Sequence, residues 1–381
     1  MKTALSVLAA LVLGASSFAL GVCGPFTDVA ADGFCPFVLE IFTLGITTGT
    51  SPTTYDPASS VSRLQMAAFL SRSVDGVLKR NSRRSALRQF WTSQNDTVLS
   101  LTSIGDSPAF IKSDGVDVWA PIYSVVGGVA RVRATDGKLL EKWVGAQNSL
   151  GVVVAMGRVF VTGEMGPGRL YRIDPTQPAG VVTTVSSNLG GGSRGITYDG
   201  SHIWTGNAIS ISIVTPGASI PWTVTTVATG FTAPLSPMFD GTNVWVADSF
   251  AGKLFRLDSA GAILQTVDVG TNPLLPVFDG TNIWVPNSGS NSVSVVRAST
   301  GAVLRTLTGN NLSGPAAAAF DGQRILVTNA DALDGVSLWK AADLTPLGSF
   351  STGTFSSPYG ACSDGVNFWI ALGGTNKIAR F

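Results

Sequence analysis

The line FDGTNVWVADS, residues 239–249, is written again almost unchanged as FDGTNIWVPNS, residues 278–288. Looser copies read SDGVDVWAP (113–121), YDGSHIWTGN (198–207), FDGQRILVTN (320–329) and SDGVNFWIAL (363–372). Marked by their turn glycines, these copies fall at Gly115, Gly200, Gly241, Gly280, Gly322 and Gly365. Gly157, with Met156 in place of Asp, makes a seventh. The successive intervals are 42, 43, 41, 39, 42 and 43 residues. A chain that repeats at this spacing builds one supersecondary unit many times and buries each unit against the next.

The units carry Val, Ile, Thr, Trp and Gly in short alternating or fully apolar runs and lack a 3.6-residue pattern. That combination predicts four-stranded propeller blades. In one copy, Pro273 to Phe278 reads as the inner strand and Asn282 to Val285 as the second, joined by an Asp279-Gly280 turn. Ser292 to Arg297 reads as the third strand and Ala302 to Thr308 as the outer one. The second strand is apolar on both faces, as expected where neighbouring blades cover both sides. The last copy ends at KIARF (377–381), which matches the third strand KLFRL (253–257) and leaves no fourth. The missing strand stands at the front, where TVLSLTS (97–103) matches AVLRTLT (302–308). The expectation is a mainly β chain: a seven-bladed β-propeller over 97–381, closed by strand 97–103 and preceded by a small α-helical module. Closure removes the exposed edges of an open array. The pattern resembles the YVTN and NHL types of propeller repeat, and DGVNFWIALGGTNKIARF (364–381) is similar to streptogramin-lyase-type repeats.

The N-terminus, MKTALSVLAALVLGASSFALGVCG, has the features of a secretory signal over 1–21. Lys2 is its positive end, Ala4 to Leu13 its apolar core, and Ser17-Phe18-Ala19 or Ala19-Leu20-Gly21 its cleavage site. The core is short for a membrane span. An exported protein at the cell surface or outside the cell is therefore expected, with no membrane span after cleavage. Export permits disulfides. Cys23 and Cys35 could pair, Cys362 lies in an apolar repeat strand, and the odd count leaves at least one thiol free or paired between chains. A net charge of +1 argues against a nucleic-acid partner.

Residues 24–75 differ from the rest. Pro36 can open a helix whose face carries Phe37, Ile41 and Leu44, ended by Gly45. Ser62 and Gln65 have the spacing of a capping box before a second helix striped with Met66, Phe69, Leu70, Val74 and Val77. The runs FTDV (26–29), LGITTG (44–49), YDP (55–57) and VSRLQMA (61–67) resemble the S-layer homology motif. That resemblance implies attachment to cell-wall polysaccharide, with Arg63 helping to bind the anionic polymer. Gln65 stands where that family usually has Glu, and one copy is present where three normally assemble. Residues 76–96 read as helix tail and linker, with a basic run of Lys79, Arg80, Arg83, Arg84 and Arg88.

Chemistry is sparsely marked. His202 is the single histidine and sits beside a turn, in a slot that elsewhere holds Asp117, Asn243, Asn282, Arg324 and Asn367. A lone histidine makes neither a triad nor a metal cage, and no residue matches the catalytic histidine of streptogramin lyases. Gly191-Gly192-Ser193-Arg194-Gly195 fits G-x-S-x-G but lacks the strand-to-helix context of a nucleophile elbow. Asn329 to Gly335 clusters oxygen ligands, but its spacing departs from a calcium loop. No cofactor is expected beyond that calcium possibility. Asn207, Asp248, Asn287 and Asn329 recur after the second strands, where Asx side chains cap turns.

The loops entering inner strands and those leaving second strands share one face of the ring. The candidate ligand residues there are Tyr123, Glu164, Arg194, Asp248 and Tyr359. Arg194 stands out because its slot is otherwise apolar, small or Tyr; a carboxylate, a sugar or a structural ion pair would each suit it. The first functional expectation is a non-catalytic, envelope-associated propeller that binds or scaffolds polysaccharide or protein. The alternatives are a propeller lyase or hydrolase, and a surface-layer building block.

Overall fold

The computed structural model describes residues 23, 25–30, 34–43, 46–70, 100–331 and 334–381. The signal segment, the basic linker, Leu44, Gly45, Val74 and Val77 lie outside the described residues. The chain divides into two compact units, residues 1–92 and 93–381.

In the first unit, a helix over Cys35–Thr43 carries Pro36 in its opening turn, where the missing N–H has no intrahelical partner to lose. Its buried contact runs through Val38, which packs with Cys23, Phe26 and Val29. This corrects the expected face, because Phe37 is exposed. Cys23 and Cys35 form a disulfide. Residues 63–70 are helical, and the capping box forms: the Ser62 N–H donates to Gln65 Oε1 at 2.8 Å and the Gln65 N–H to Ser62 Oγ at 3.2 Å. Met66 and Leu70 of the expected stripe are exposed. Asp28 draws two distant runs together by accepting from the Tyr55 and Asp56 N–H groups, and these backbone donors hold its carboxyl below the usual range.

The described part of the second unit forms seven four-stranded antiparallel sheets. Six follow the chain from inner to outer strand: blade 1 over 112–144, blade 2 over 149–189, blade 3 over 196–227, blade 4 over 234–268, blade 5 over 277–307 and blade 6 over 315–351, with blade 7 the seventh. The seventh joins Pro358–Ser363, Phe368–Leu372 and Lys377–Arg380 to Ser100–Ser103, with Ser100 opposite Arg380 and Ser103 opposite Lys377. Each sheet packs on the next, and the first on the last, so the ring is closed. The core is divided in the same way. Seven apolar clusters sit between successive blades, for example Trp245, Ala247 and Leu254 of blade 4 against Ile283, Val285 and Val296 of blade 5. A second strand such as Val244–Asp248 is therefore buried at every position.

The repeated line has a physical meaning beyond its turn. In blade 4, Asp240 Oδ1 accepts from the Thr242 and Asn243 N–H groups at 2.8 and 2.7 Å, while Oδ2 accepts from the Trp245 indole at 2.7 Å. The same carboxylate–indole bond joins Asp114 to Trp119, Asp199 to Trp204, Asp279 to Trp284 and Asp364 to Trp369. Where the tryptophan is lost, the pattern changes with it. Blade 6 has Leu326, and Arg324 Nε donates to Asp321 Oδ2 instead. Blade 2 has Phe160, and there Met156 replaces the aspartate.

Candidate functional site

The inner strands of the ring surround a central channel. At the mouth where chains enter the inner strands, a cavity of about 220 Å³ is lined by Phe110, Leu150, Glu164, Arg194, Leu235, Ser236, Leu274, Leu275 and Tyr359. Arg194 is held there by its backbone. Its N–H donates to Gly206 O at 2.8 Å, and its carbonyl accepts from Thr162 Oγ1 at 2.6 Å. The neighbouring strand approaches so closely that a Cβ on Gly151 would lie 2.1 Å from the Arg194 carbonyl oxygen; only glycine leaves that space.

Arg194 Nε donates to Glu164 Oε1 at 2.6 Å. The Tyr123 phenol faces the same carboxylate, and the negative charge of Glu164, then desolvation, raises the Tyr123 pKa. Tyr359 is half-buried on the mouth wall with its ring stacked on Phe110, centroids 5.6 Å apart and planes 13° apart. Burial raises its pKa, partly opposed by Arg194. Four of the five expected face residues, Tyr123, Glu164, Arg194 and Tyr359, thus converge from blades 1, 2, 3 and 7. The two Nη groups of Arg194 make no hydrogen bond or ion pair among the described residues, so one edge of the fork is open to the cavity.

The fifth, Asp248, is fully buried and consumed by structure. Its carboxylate accepts from the Thr232 hydroxyl and from the Thr232, Ala233 and Ala251 N–H groups. Asn207, Asn287 and Asn329 are likewise buried, each donating from Nδ2 to a third-strand serine: Ser212, Ser294 and Ser337. They join strands as well as capping turns.

The other sequence candidates are tied down elsewhere. Ser193 is buried, with its hydroxyl within bonding distance of Gly190 O and Asn207 Oδ1. His202 is half-buried, its Nδ1 3.6 Å from Asp199 Oδ2 in the Asp–Gly turn of blade 3. Asp334 Oδ1 accepts from the Ser357 N–H and Asn329 Oδ1 from the Ser313 N–H. Among the described residues no group of three or more His, Cys, Asp or Glu side chains is placed to hold a metal. Arg63 is exposed at the start of the 63–70 helix.

Sequence reasoning missed Phe110 and Lys112. Both lie in the inner strand region of blade 1, where aligning the seven copies would have set a lysine against Thr197, Met238 and Cys362.

Exposed apolar side chains gather on the loops of this same face. Val125 and Val126 lie in the loop after the second strand of blade 1, Ile209 in that of blade 3, and Phe250, 84% exposed, in that of blade 4. Phe355, 85% exposed, lies on the loop entering the inner strand of blade 7. The opposite, Asp–Gly face exposes Val116 and Met156 at its turns and Val181 and Ile220 in the loops from third to outer strands.

No family model matches the chain, and no curated protein matches it. Solved structures do. Virginiamycin B lyase from Staphylococcus aureus aligns with a TM-score of 0.61 at 16% identity, covering 74% of this chain and 99% of that one. Hydrazine synthase of Kuenenia stuttgartiensis aligns at 0.62 and 15% identity, covering 76% of this chain and 99% of that one. The WD40 β-propeller domain of Doa1 aligns at 0.58 and 14% identity, covering 76% and 97%. At these identities the likeness is one of fold, and the fold it establishes for this chain is the seven-bladed β-propeller.

Proposed function

We propose that this chain is an exported, non-catalytic propeller of the cell envelope that docks a protein partner on the mouth face of its ring. The observation that carries this reading is the open edge of Arg194 in a mouth rimmed by exposed apolar side chains. An acidic side chain of the partner would complete the guanidinium fork, while Phe250, Phe355, Ile209 and Val126 would bury against apolar surface. Several exposed apolar residues on the loops of one face suit an interaction site. The ion pair with Glu164 pre-positions Arg194 for binding rather than for proton transfer. His202 belongs to the opposite face and takes no part in the mouth.

The Cys23–Cys35 disulfide supports export, since such bonds persist in oxidising compartments. Exposed Arg63, and the packing of the FTDV run against the YDP run, support attachment of the first unit to wall polysaccharide.

Two captures test the reading separately. The purified chain is mixed with isolated cell-wall polysaccharide, and is also cross-linked to envelope proteins. Arg63→Ala should abolish the first association and spare the second. Arg194→Ala combined with Phe250→Ser should do the reverse. Polysaccharide binding that ignores Arg63 would sink the anchor. Cross-links that survive the mouth variant, or that form only to glycan, would sink the protein-docking face.

A further inference from the structure

Below the mouth, the channel widens into a cavity of about 300 Å³. Phe110, Ser236 and Leu275 belong to both spaces, so the two are continuous along the axis. The wall mixes apolar side chains, with Val152, Ile196, Pro237, Met238 and Leu275 among them, with polar groups that include Ser113, Thr197 and Ser236, and it has no carboxylate. It does include one cation, Lys112.

The register shows how exceptional that lysine is. In each blade one inner-strand residue pairs with the aromatic or leucine residue of the repeated line. Lys112 pairs with Trp119, Val153 with Phe160, Thr197 with Trp204, Met238 with Trp245, Val277 with Trp284, Ala319 with Leu326 and Cys362 with Trp369. Six of these seven equivalent positions are uncharged, and Val153, Met238, Val277, Ala319 and Cys362 among them pack in the clusters between blades; Lys112, Val153, Thr197 and Met238 line the channel cavity. Lys112 makes no hydrogen bond or ion pair among the described residues, yet its side chain is open to channel water. Desolvation by the surrounding wall lowers its pKa, and Cys362 of the adjacent blade is the neighbouring titratable group. A water-exposed ammonium with no carboxylate beside it leaves a positive charge uncompensated in the channel, and a carboxylate entering there would pair with it. Three residues along the inner strand separate the Lys112 level from the Arg194 level, about 10 Å at ~3.3 Å per residue. The two cations therefore serve different depths.

We infer that the central channel is a binding site for a small carboxylate with an apolar body, its carboxylate on Lys112 and its body against Phe110, Val152, Pro237 and Leu275. The cavity lies at the lower end of the size range of ligand pockets, which are mostly apolar with a few placed polar groups. This site does not depend on the protein-docking reading, because it uses the channel rather than the rim.

The test is a calorimetric titration of the full chain with hexanoate, benzoate and trans-cinnamate, each beside its amide. At least one carboxylate should bind, with its amide weaker by about tenfold or more. Lys112→Met, which keeps the apolar stem, should weaken the carboxylate by a similar factor. Arg305→Ala, an exposed cation on the outer strand Val303–Leu307, should leave it within about threefold, while Arg194→Ala reports whether the carboxylate sits at the mouth instead. Independently of any variant, the bound carboxylate should protect Lys112 of the unaltered protein from acetic anhydride, read by mass spectrometry. Absence of binding by all three acids at millimolar concentration would overturn the inference. So would equal binding of acid and amide, undiminished labelling of Lys112, or a loss confined to the Arg194 variant.

Discussion

At the residue scale, the aspartate of the repeated line does two jobs with its two oxygens. One organises the turn; the other satisfies the indole of a fully buried tryptophan. Replacing it leaves a buried N–H without an acceptor, a penalty of about 1–3 kcal/mol on top of the lost turn bonds. Asp240→Ala should therefore destabilise the propeller by about 3 kcal/mol, measured by denaturant unfolding. Trp245→Phe in that background should add less than it does alone, because the orphaned donor is already present. At the mouth, Arg194 is 43% exposed and Glu164 18% exposed. Their pair is solvent-screened, so Glu164→Gln should change stability by less than about 1 kcal/mol while releasing Arg194 from its fixed orientation and weakening partner capture. The pH dependence of this cluster follows from Tyr123. Its folded pKa lies above the unfolded value of about 10. Between the two, the unfolded chain loses the phenolic proton first, so stability falls as pH rises above about 10. Tyr123→Phe should flatten part of that fall in melting temperature, and Tyr359, raised in the same direction, should leave the rest.

At the scale of elements, closure rests on a four-residue strand brought from the front of the propeller. Ile104 N–H donates to Asn376 O, and antiparallel donors alternate, so the Thr102 N–H points at the Lys377–Arg380 strand. Thr102→Pro removes that donor and should cost about 3 kcal/mol or more, seen as a lowered unfolding midpoint. The inner strand of the same sheet, Pro358–Ser363, carries Cys362, whose burial pushes its thiol up to about 12. A thiol held protonated and covered does not react. With Cys23 and Cys35 joined, a thiol reagent at pH 8 should find no free thiol in the native protein and one after denaturation. A native-state reaction would show that blades 7 and 1 open locally. In the first unit, capping was legible from Ser62 and Gln65 because it depends on local spacing. The buried face of the Cys35–Thr43 helix was not, because both Phe37 and Val38 are apolar and only the position of Phe26 and the disulfide selects Val38.

For the whole molecule, the repeat alone carried the architecture. Seven turn glycines at nearly constant spacing, apolar second strands, and a truncated last copy matched by a leading strand require a ring whose units bury each other. Such features are local and periodic, so one chain displays them without comparison to any other. Glu164, Arg194, Tyr123 and Tyr359 were legible as residues of one face, since loop order in a blade assigns the face. Their meeting was not, because it joins blades far apart in sequence and depends on how the inner strands converge on the axis. Asp248 shows the limit: its charge suggested a ligand, but the chain's own Thr232 and Ala233 donors close around it. Lys112 shows the converse, an ordinary residue in an inner strand that becomes a lone channel cation only when seven strands surround it. The sequence by itself determined the unit, its number and its closure, because these follow from short-range patterning. Tertiary structure alone decided which polar groups satisfy one another and which are left facing the axis, because that depends on distances across the ring.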